Sequence, residues 1–474
     1  MAHIAAVIMA AGLGKRMRSK KAKVMHPVAG RPMIWYMINV MGQLVDSKVV
    51  LVLGHGAEQV HAYVDKQQDL RASIDVVQQP TQLGTGDAVK QAQAVLMPDD
   101  EPLATSCLIV NGDTPLLTAS TLQCLLMHHQ AEQAMVTMLT TNFPDPHGYG
   151  RVVRSVAHDV IKIVEDRDAT PEELAIHEVN VGTYVVDSQF LFNALNQIEP
   201  RNAQGEYYLT DIVSIAVQEE VRVSAVKTQD ATECWGINTR EHLALAEQAM
   251  RGRIRTHWLR EGVTMLDPAT TMIDDGVQLG QDTVLHPHVT LEGQTTIGED
   301  CVIRAHTRIT DSQIGNCVVV EDCCVMEKAV LEDGASVGPF ARLRAGTVLQ
   351  QKAKVGNFVE VKNTVLGEGS KAGHLSYLGD GIIGKHVNVG AGTITCNYDG
   401  FRKSQTVIED GVFIGSGSQL IAPVTIGQGA VVAAGSTITD DVPSDAVSLS
   451  RVEQENRKQA AARRRDAQTK ASDK

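Results

Sequence analysis

The stretch Ile408–Ile438 carries an aliphatic residue at every sixth position: Ile408, Ile414, Leu420, Ile426, Val432 and Ile438. The same ladder stands upstream at Val337, Leu343, Leu349, Val355 and Val361, and again at Ile297, Ile303 and Ile309. A helix repeats at about 3.6 residues and a strand at about two, so neither accounts for six. A period of six is the mark of a parallel β-helix, a coil of very short strands with one inward anchor per face. Gly298, Gly338, Gly356, Gly367, Gly384, Gly390, Gly415 and Gly427 each follow a rung. We place them at corners, where a sharp turn uses the positive φ that Gly permits. An ordinary β-sandwich does not explain three runs with one period.

The chain has 474 residues, room for two or three domains. Its formal net charge of −13, from 43 Lys and Arg against 56 Asp and Glu, argues against nucleic-acid binding but leaves room for local anion sites. Aromatic residues make up 4%, which suits a narrow coil interior filled by Ile, Val and Ala. Cys107, Cys124, Cys234, Cys301, Cys317, Cys323, Cys324 and Cys396 form no Cys-x-x-Cys pair and have no His at zinc-finger spacing. They read as reduced, mostly buried thiols of a cytoplasmic protein. Met1-Ala2-His3-Ile4 begins neither a basic n-region nor a secretory h-region, and no apolar run reaches about 18 residues. No export and no membrane span are expected.

In the N-terminal half, strand and helix patterns alternate, as in a mostly parallel, doubly wound α/β sheet. Ile4-Ala5-Ala6-Val7-Ile8-Met9 is a buried parallel strand by pattern, and Ala10-Ala11-Gly12-Leu13-Gly14-Lys15-Arg16-Met17 follows it directly. Small residues there let backbone N–H groups approach phosphates, with Arg16 and Lys23 adding charge. The loop is neither a Walker A sequence nor a clean dinucleotide fingerprint, and a Gly-rich first loop also serves as a plain turn. A second strand, Val49–Leu53, ends at Gly54-His55-Gly56, and a third, Ile74–Val77, leads into Gln79, Gly84 and Thr85. Ser106–Val110 ends at Asn111-Gly112-Asp113. An Asp at the carboxyl end of such a strand faces the ligand crevice, where hard oxygens suit Mg2+; a turn with Gly112 is the plainer alternative.

The Ala-Ala-Gly-x-Gly-x-Arg-Met loop, Lys23, the Gly-rich stretch at 82–86 and Gly112-Asp113 resemble a sugar-nucleotidyltransferase domain. Gly148-Tyr149-Gly150-Arg151, Ile163-Val164-Glu165, Glu178–Gly182, Asn202–Asp211 and Gly236-Ile237-Asn238 continue the pattern. With the hexapeptide half attached, residues 4 to 458 resemble the bacterial family of bifunctional N-acetylglucosamine-1-phosphate uridylyltransferases and glucosamine-1-phosphate acetyltransferases. The resemblance implies that Met9, Ala10, Ala11, Gly12, Arg16, Lys23, Gln79, Gly84, Thr85, Asn111 and Gly112 line the UTP end. It puts Gly150, Glu165 and Asn180 at the sugar, and Asp113 and Asn238 at Mg2+ and the nucleotide. Met9, Lys15 and Asn111 stand where relatives usually carry Leu, Thr and Tyr, so Lys15 adds a cation and Asn111 lacks an aromatic face. The implied chemistry is in-line attack of the sugar phosphate on the α-phosphorus of UTP, which needs alignment and charge neutralisation more than a nucleophile.

Two stretches, Gly369–Asp380 and Thr393–Lys403, read as insertions in the coil, and outward loops carry function. They hold His374, Tyr377, Asn397 and Tyr398, with Arg344, Glu360 and Lys362 on preceding rungs. A His suits proton removal from an attacking amine, and cations suit a sugar phosphate; alone, an exposed loop His is as readily a solvated one. Asn397 or a backbone N–H suits the developing oxyanion. The resemblance makes His374 the general base. It places Arg344, Lys362, Tyr377 and Asn388 at glucosamine 1-phosphate, and Ala391, Asn397, Tyr398, Ser416, Ala434 and Arg451 along acetyl-CoA. It also implies a left-handed parallel β-helix and a homotrimer. Arg457 stands where relatives often carry Lys.

The expected plan is a Rossmann-like nucleotidyltransferase domain over 1–238 and a connecting helix over 239–262. A hexapeptide acetyltransferase domain follows over 263–452, then a flexible tail over 453–474. In the joint, Asn238 followed by Glu241 reads as a helix cap. The resemblance implies small-molecule substrates, with acetyl-CoA and UTP as co-substrates and Mg2+ as cofactor. A single-activity nucleotidyltransferase with a regulatory coil, or a non-catalytic assembly protein, predicts no acetyl transfer.

Overall fold

The computed structural model describes residues 3–66 and 74–472. The chain divides into two compact units, Met1–Ile254 and Arg255–Lys474.

The first unit is built on a sheet ordered Val223–Lys227, Val136–Asn142, Glu178–Asp187, Ser106–Asn111, Ile4–Ala10, Val49–Leu53 and Ile74–Gln78. Glu178–Asp187 runs against its neighbours; the other pairings along that path are parallel. The continuous apolar runs follow from cover on both faces. Ala6, Ile8, Leu51 and Val110 pack on one side with Met33, Met37 and Met41 of the helix Met33–Leu44. Ala5, Val7, Val50 and Ile109 pack on the other with Val89, Leu191 and Ile212. Met9 pairs with Asn111 and Ala10 with Leu53, so the loops after these strands leave one edge together. A hairpin, Arg151–Arg154 with Val160–Val164, attaches to Glu178–Asp187 through Val179 and Arg151.

The long helix spans Arg240–Arg260. Its cap differs from the expectation. The Thr239 hydroxyl accepts from the His242 amide at 3.1 Å, which leaves the Asn238 side chain free to face elsewhere.

The second unit is a parallel coil of three sheets, with eleven, ten and nine strands. Its stacking step is 18 or 17 residues, as in Leu285↔Ile303 and Ile303↔Val320. All the rungs named above are buried. Two residues before many of them sits a second buried column of small side chains, among them Thr283, Thr295, Thr307, Ser312, Thr347 and Ser370. Their hydroxyls bond corner carbonyls, as Thr283 does to Gly298 at 2.8 Å and Thr347 to Arg344 at 2.7 Å. Cys301 and Cys324 belong to this column, which explains their burial.

Two further expectations are corrected. Gly369–Asp380 is not an insertion: Lys371–His374 and Tyr377–Gly379 are ordinary strands, with Val355 paired to Ala372 and Val361 to Leu378. Thr393–Lys403 does contain one, since the step there is 25 residues, Val389↔Ile414, and Tyr398 bridges Lys403. Next, most of the rung-following glycines do not need positive φ. They need closeness: a Cβ on Gly356 would lie 1.9 Å from the Gly373 carbonyl oxygen, and one on Gly390 2.5 Å from the Ser416 nitrogen. The left-handed position falls later in each turn and is often held by other residues, such as His288, His306, Phe340 and Phe358. The tail, expected to be flexible, is helical over Ala460–Ser472, where its described residues are mostly exposed; Asp473 and Lys474 lie outside the described residues.

Candidate active sites

In the first unit, Lys23 opens the one-turn helix Lys23–Met25, and Asp113 follows the strand Ser106–Asn111. The sheet brings them together. Lys23 Nζ pairs with the Asp113 carboxylate and donates to Asn238 Oδ1 at 3.2 Å, with the two charged side chains only 14% and 15% exposed. The Ile237 amide donates to the Asp113 carbonyl at 3.0 Å, which fixes the segment bearing Asn238 against that strand end. A Cβ on Gly12 would come within 3.9 Å of Lys23 Nζ, so the first loop passes beside the same ammonium. Gly112 donates its amide to Met9 at 2.9 Å.

Gln79, Gly84 and Thr85 follow the strand Ile74–Gln78. Gln79 is buried, and its side-chain amide donates to the Gly84 carbonyl at 3.1 Å and to Asp87 at 2.7 Å. Gly84, with φ +124, lies so close to Tyr207 that a Cβ would stand 2.4 Å from its carbonyl oxygen. Thr85 Oγ1 accepts from the Leu209 amide at 3.0 Å. Asn111 turns its amide to the Val181 and Gly182 carbonyls, at 3.2 and 3.4 Å, so here it braces the sheet.

Gly150 brings Asn180 and Glu165 together. The Gly150 carbonyl accepts from the Asn180 amide at 2.8 Å, and a Cβ on Gly150 would come within 3.4 Å of Glu165. Burial pushes the Glu165 carboxyl above its usual range. Thr210, donating at 3.1 Å, opposes this in part, and nearby Asp168, Asp211 and Asp166 push it higher. A cleft of about 990 Å3 runs along this side, lined by Arg16, Glu165 and Asn238 among others. It also takes in Tyr149, Arg167 and Trp235, to which the sequence reading gave no role. Tyr149 stood inside a quoted motif; Arg167 and Trp235 carried no signal of their own.

In the second unit, His374 ends the strand Lys371–His374 and stands beside Asn357 on the preceding coil. Its Nδ1 lies 2.7 Å from Asn357 Oδ1. An amide oxygen only accepts, so Nδ1 is the ring nitrogen that donates in this contact, and in a neutral ring the acceptor is Nε2. Asn357 was missed, although it lies one coil step of 17 residues before His374. On the next face, Arg344 pairs with Glu360 at 3.0 Å, and Glu360 stands in register with Tyr377. Burial opposes ionisation of Asp380, but the Asn363 and Asn397 amides, at 2.7 and 2.5 Å, with Lys362 and Lys403, hold it below the usual range. Lys362 in turn lowers Lys403, two like charges meeting beside Asp380 and Tyr377. Asn397 uses one amide proton on Asp380.

Asn388 begins the strand next to Lys371. Ala391, Ser416 and Ala434 form one vertical column: their carbonyls accept from Gly417 at 2.7 Å, Gly435 at 2.8 Å and Arg451 at 2.9 Å. The Leu375 carbonyl accepts from Gly392 at 3.0 Å, so the foot of this column adjoins His374. Tyr398 is exposed in the inserted loop.

Among the described residues no helix is long and apolar enough to cross a membrane, and no three His, Cys, Asp or Glu side chains gather as a metal cluster. All eight cysteines are free.

Comparison with known proteins agrees with both halves. Residues 5–258 match the nucleotidyl transferase family, and residues 276–311 and 405–440 match the bacterial transferase hexapeptide family of six repeats. The chain is 48% identical over 452 residues to the bifunctional protein GlmU of Shouchella clausii, covering 95% of this chain and 97% of that one. It is 45% identical to that of Geotalea uraniireducens, covering 96% and 98%, and 46% identical to that of Trichlorobacter lovleyi, covering 98% and 100%. A nucleotide-type crevice, a hexapeptide coil and identity along nearly the whole length place this chain in the GlmU family of bifunctional enzymes.

Proposed function

We propose that the two reactions of UDP-N-acetylglucosamine synthesis are divided between residues 263–452, which acetylate glucosamine 1-phosphate, and residues 1–238, which couple the product to UTP, with 239–262 as the connecting helix. The observation that carries the first assignment is the Asn357 amide oxygen 2.7 Å from His374 Nδ1, which fixes the tautomer a base needs. His374 Nε2 takes a proton from the substrate amine. The amine nitrogen bonds to the acetyl carbonyl carbon, the carbon–sulfur bond breaks, and the thiolate leaves as coenzyme A. Arg344, Lys362, Tyr377 and Asn388 hold the sugar phosphate, and Ala391, Asn397, Tyr398, Ser416, Ala434 and Arg451 hold acetyl-CoA.

In the other reaction, a phosphate oxygen of N-acetylglucosamine 1-phosphate attacks the α-phosphorus of UTP and pyrophosphate leaves. Met9 to Gly12, Gln79, Gly84, Thr85, Asn111 and Gly112 surround the nucleotide; Gly150, Glu165 and Asn180 hold the sugar; Arg16 and Lys23 meet phosphate. The oxygens of Asp113 and Asn238, both facing the Lys23 ammonium, form a hard donor pair already arranged around a cation, which fits Mg2+. When bound, Mg2+ neutralises triphosphate charge.

The substrates and free thiols suit the cytoplasm. The exposed corner of Phe340 and Phe358, stacked with ring centroids 5.4 Å apart, and Leu375 suits burial between copies, in keeping with a trimer. Incubation with glucosamine 1-phosphate, acetyl-CoA, UTP and Mg2+, following free thiol and pyrophosphate separately, tests the reading. Both should appear; absence of either product removes the corresponding half.

A further inference from the structure

Three separated segments build the nucleotide cleft: the first loop ending at Met17, the turn from Lys23 to His26, and Asn238 ahead of the long helix. One side chain joins all three. Arg240 Nε donates to the Met17 carbonyl at 3.2 Å, and its Nη1 donates to His26 Nδ1 at 3.2 Å. Arg240 itself follows Asn238 by two residues, and Asn238 Oδ1 accepts from Lys23.

The placement is not explained by the helix. Arg240 is the first residue of Arg240–Arg260, and a cation at the N-terminal end opposes the helix dipole. The first loop, by contrast, needs such a tie. Lys15–Met17 is a single turn flanked by left-handed residues, Gly14 with φ 59 and Arg18 with φ 47. A turn this short holds itself weakly, yet it carries Arg16, and its last carbonyl is the one Arg240 takes. On the other side His26 is buried, and its Nε2 has no hydrogen-bond partner among the described residues. Its side-chain polar anchor is therefore Arg240, and the backbone amide of His26 closes the Lys23 turn at 3.2 Å.

We infer that Arg240 is a positioning residue for uridylyl transfer: it locks the Arg16 turn and the Lys23 turn to the segment bearing Asn238, without touching substrate. The inference rests on the reading of this cleft as the uridylyl site. Small displacements of phosphate-binding groups cost large factors in rate and affinity, so loss of the tie falls on UTP.

The full-length protein with Mg2+ provides the test. Arg240→Ala should raise KM for UTP about tenfold. KM for N-acetylglucosamine 1-phosphate, acetyl transfer and melting temperature should stay near wild type, a split that general loosening would not produce. Arg240→Lys, which can reach one acceptor but not bridge two, should fall between. An unchanged KM for UTP in Arg240→Ala overturns the inference. Should that variant fail to fold, His26→Gln, which keeps an acceptor, and His26→Leu, which does not, decide instead: only the second should raise KM for UTP, and equal values overturn the inference. Wild-type protein that releases no UTP-dependent pyrophosphate would overturn the reading of the cleft, a failure distinct from a normal Arg240→Ala.

Discussion

His374 Nδ1 lies 2.7 Å from Asn357 Oδ1, one residue on each of two successive coils. The contact gives a surface-facing imidazole one tautomer. Replacing His374 with Ala should lower acetyl transfer by about 10²–10⁴, the usual share of a general base, and leave pyrophosphate release intact. Asn357→Ala should cost less, roughly tenfold, because the imidazole then spends time in the wrong tautomer. Thiol release from acetyl-CoA measures both, and a wild-type rate for His374→Ala would remove the proposed base.

Asp113 and Asn238 share one ammonium, Lys23, so a metal between their oxygens competes with a cation already in place. Chelation with EDTA should stop pyrophosphate release and spare acetyl transfer. Asp113→Ala should have the same selective effect. Lys23→Met should lower the Mg2+ concentration for half-maximal rate while lowering the maximal rate, because it removes both a competitor and a phosphate contact. A Mg2+ titration of pyrophosphate release reads both quantities. An unchanged half-point would show that Lys23 does not compete.

Regular spacing made the coil legible from the sequence: a rung at each sixth residue survives any choice of surface residue, and every rung named from the pattern is buried. The strand ends near Met9 and Asn111, with Asp113 just beyond the second, were legible because buried parallel strands are continuous apolar runs. What escaped depends on stacking between turns. Lys371–His374 looked like an insertion because its rung is Ala372, too small to stand out in a ladder of Ile and Val. The corner glycines were assigned to φ when the approach of Gly373 to Gly356 is what demands them. The cap at Thr239 escaped because adjacent Asn and Thr are equally good caps, and only the pull of Lys23 on Asn238 decides between them.

Glu165 offers a pH test. Its carboxyl is held above the ordinary value, first by burial. The folded state then binds its proton more tightly than the unfolded chain, so this stability is present below the unfolded pKa and lost as pH rises through the folded one. Glu165→Gln removes the charge that burial penalises. It should raise the melting temperature of the uridylyl unit at pH 7 by roughly 2 to 4 °C, the shift that about 1 kcal/mol gives a domain of this size. At pH 4 the two proteins should melt together, because the wild-type carboxyl is then protonated. The same variant should weaken N-acetylglucosamine 1-phosphate binding, since an amide replaces a carboxylate acceptor. A melting difference that is equal at both pH values would assign the effect to packing.

Gly356 and Gly373 occupy equivalent corners on successive coils, but only one of them is crowded. A Cβ on Gly356 would meet the Gly373 carbonyl oxygen at 1.9 Å, while one on Gly373 meets nothing within 4 Å. The obstacle at Gly356 is backbone, which a side-chain rotation cannot relieve, so the coils must part there. Overpacking of this kind costs about 1–3 kcal/mol or more. Gly356→Ala should therefore lower the melting temperature of the coil by roughly 5 °C or more, and reduce acetyl transfer because Asn357 is the next residue. Gly373→Ala should shift melting by no more than about 1 °C. Circular dichroism melts of the two variants decide the matter: equal losses would mean that corner glycines are chosen for backbone freedom after all, and the stacking account would fall.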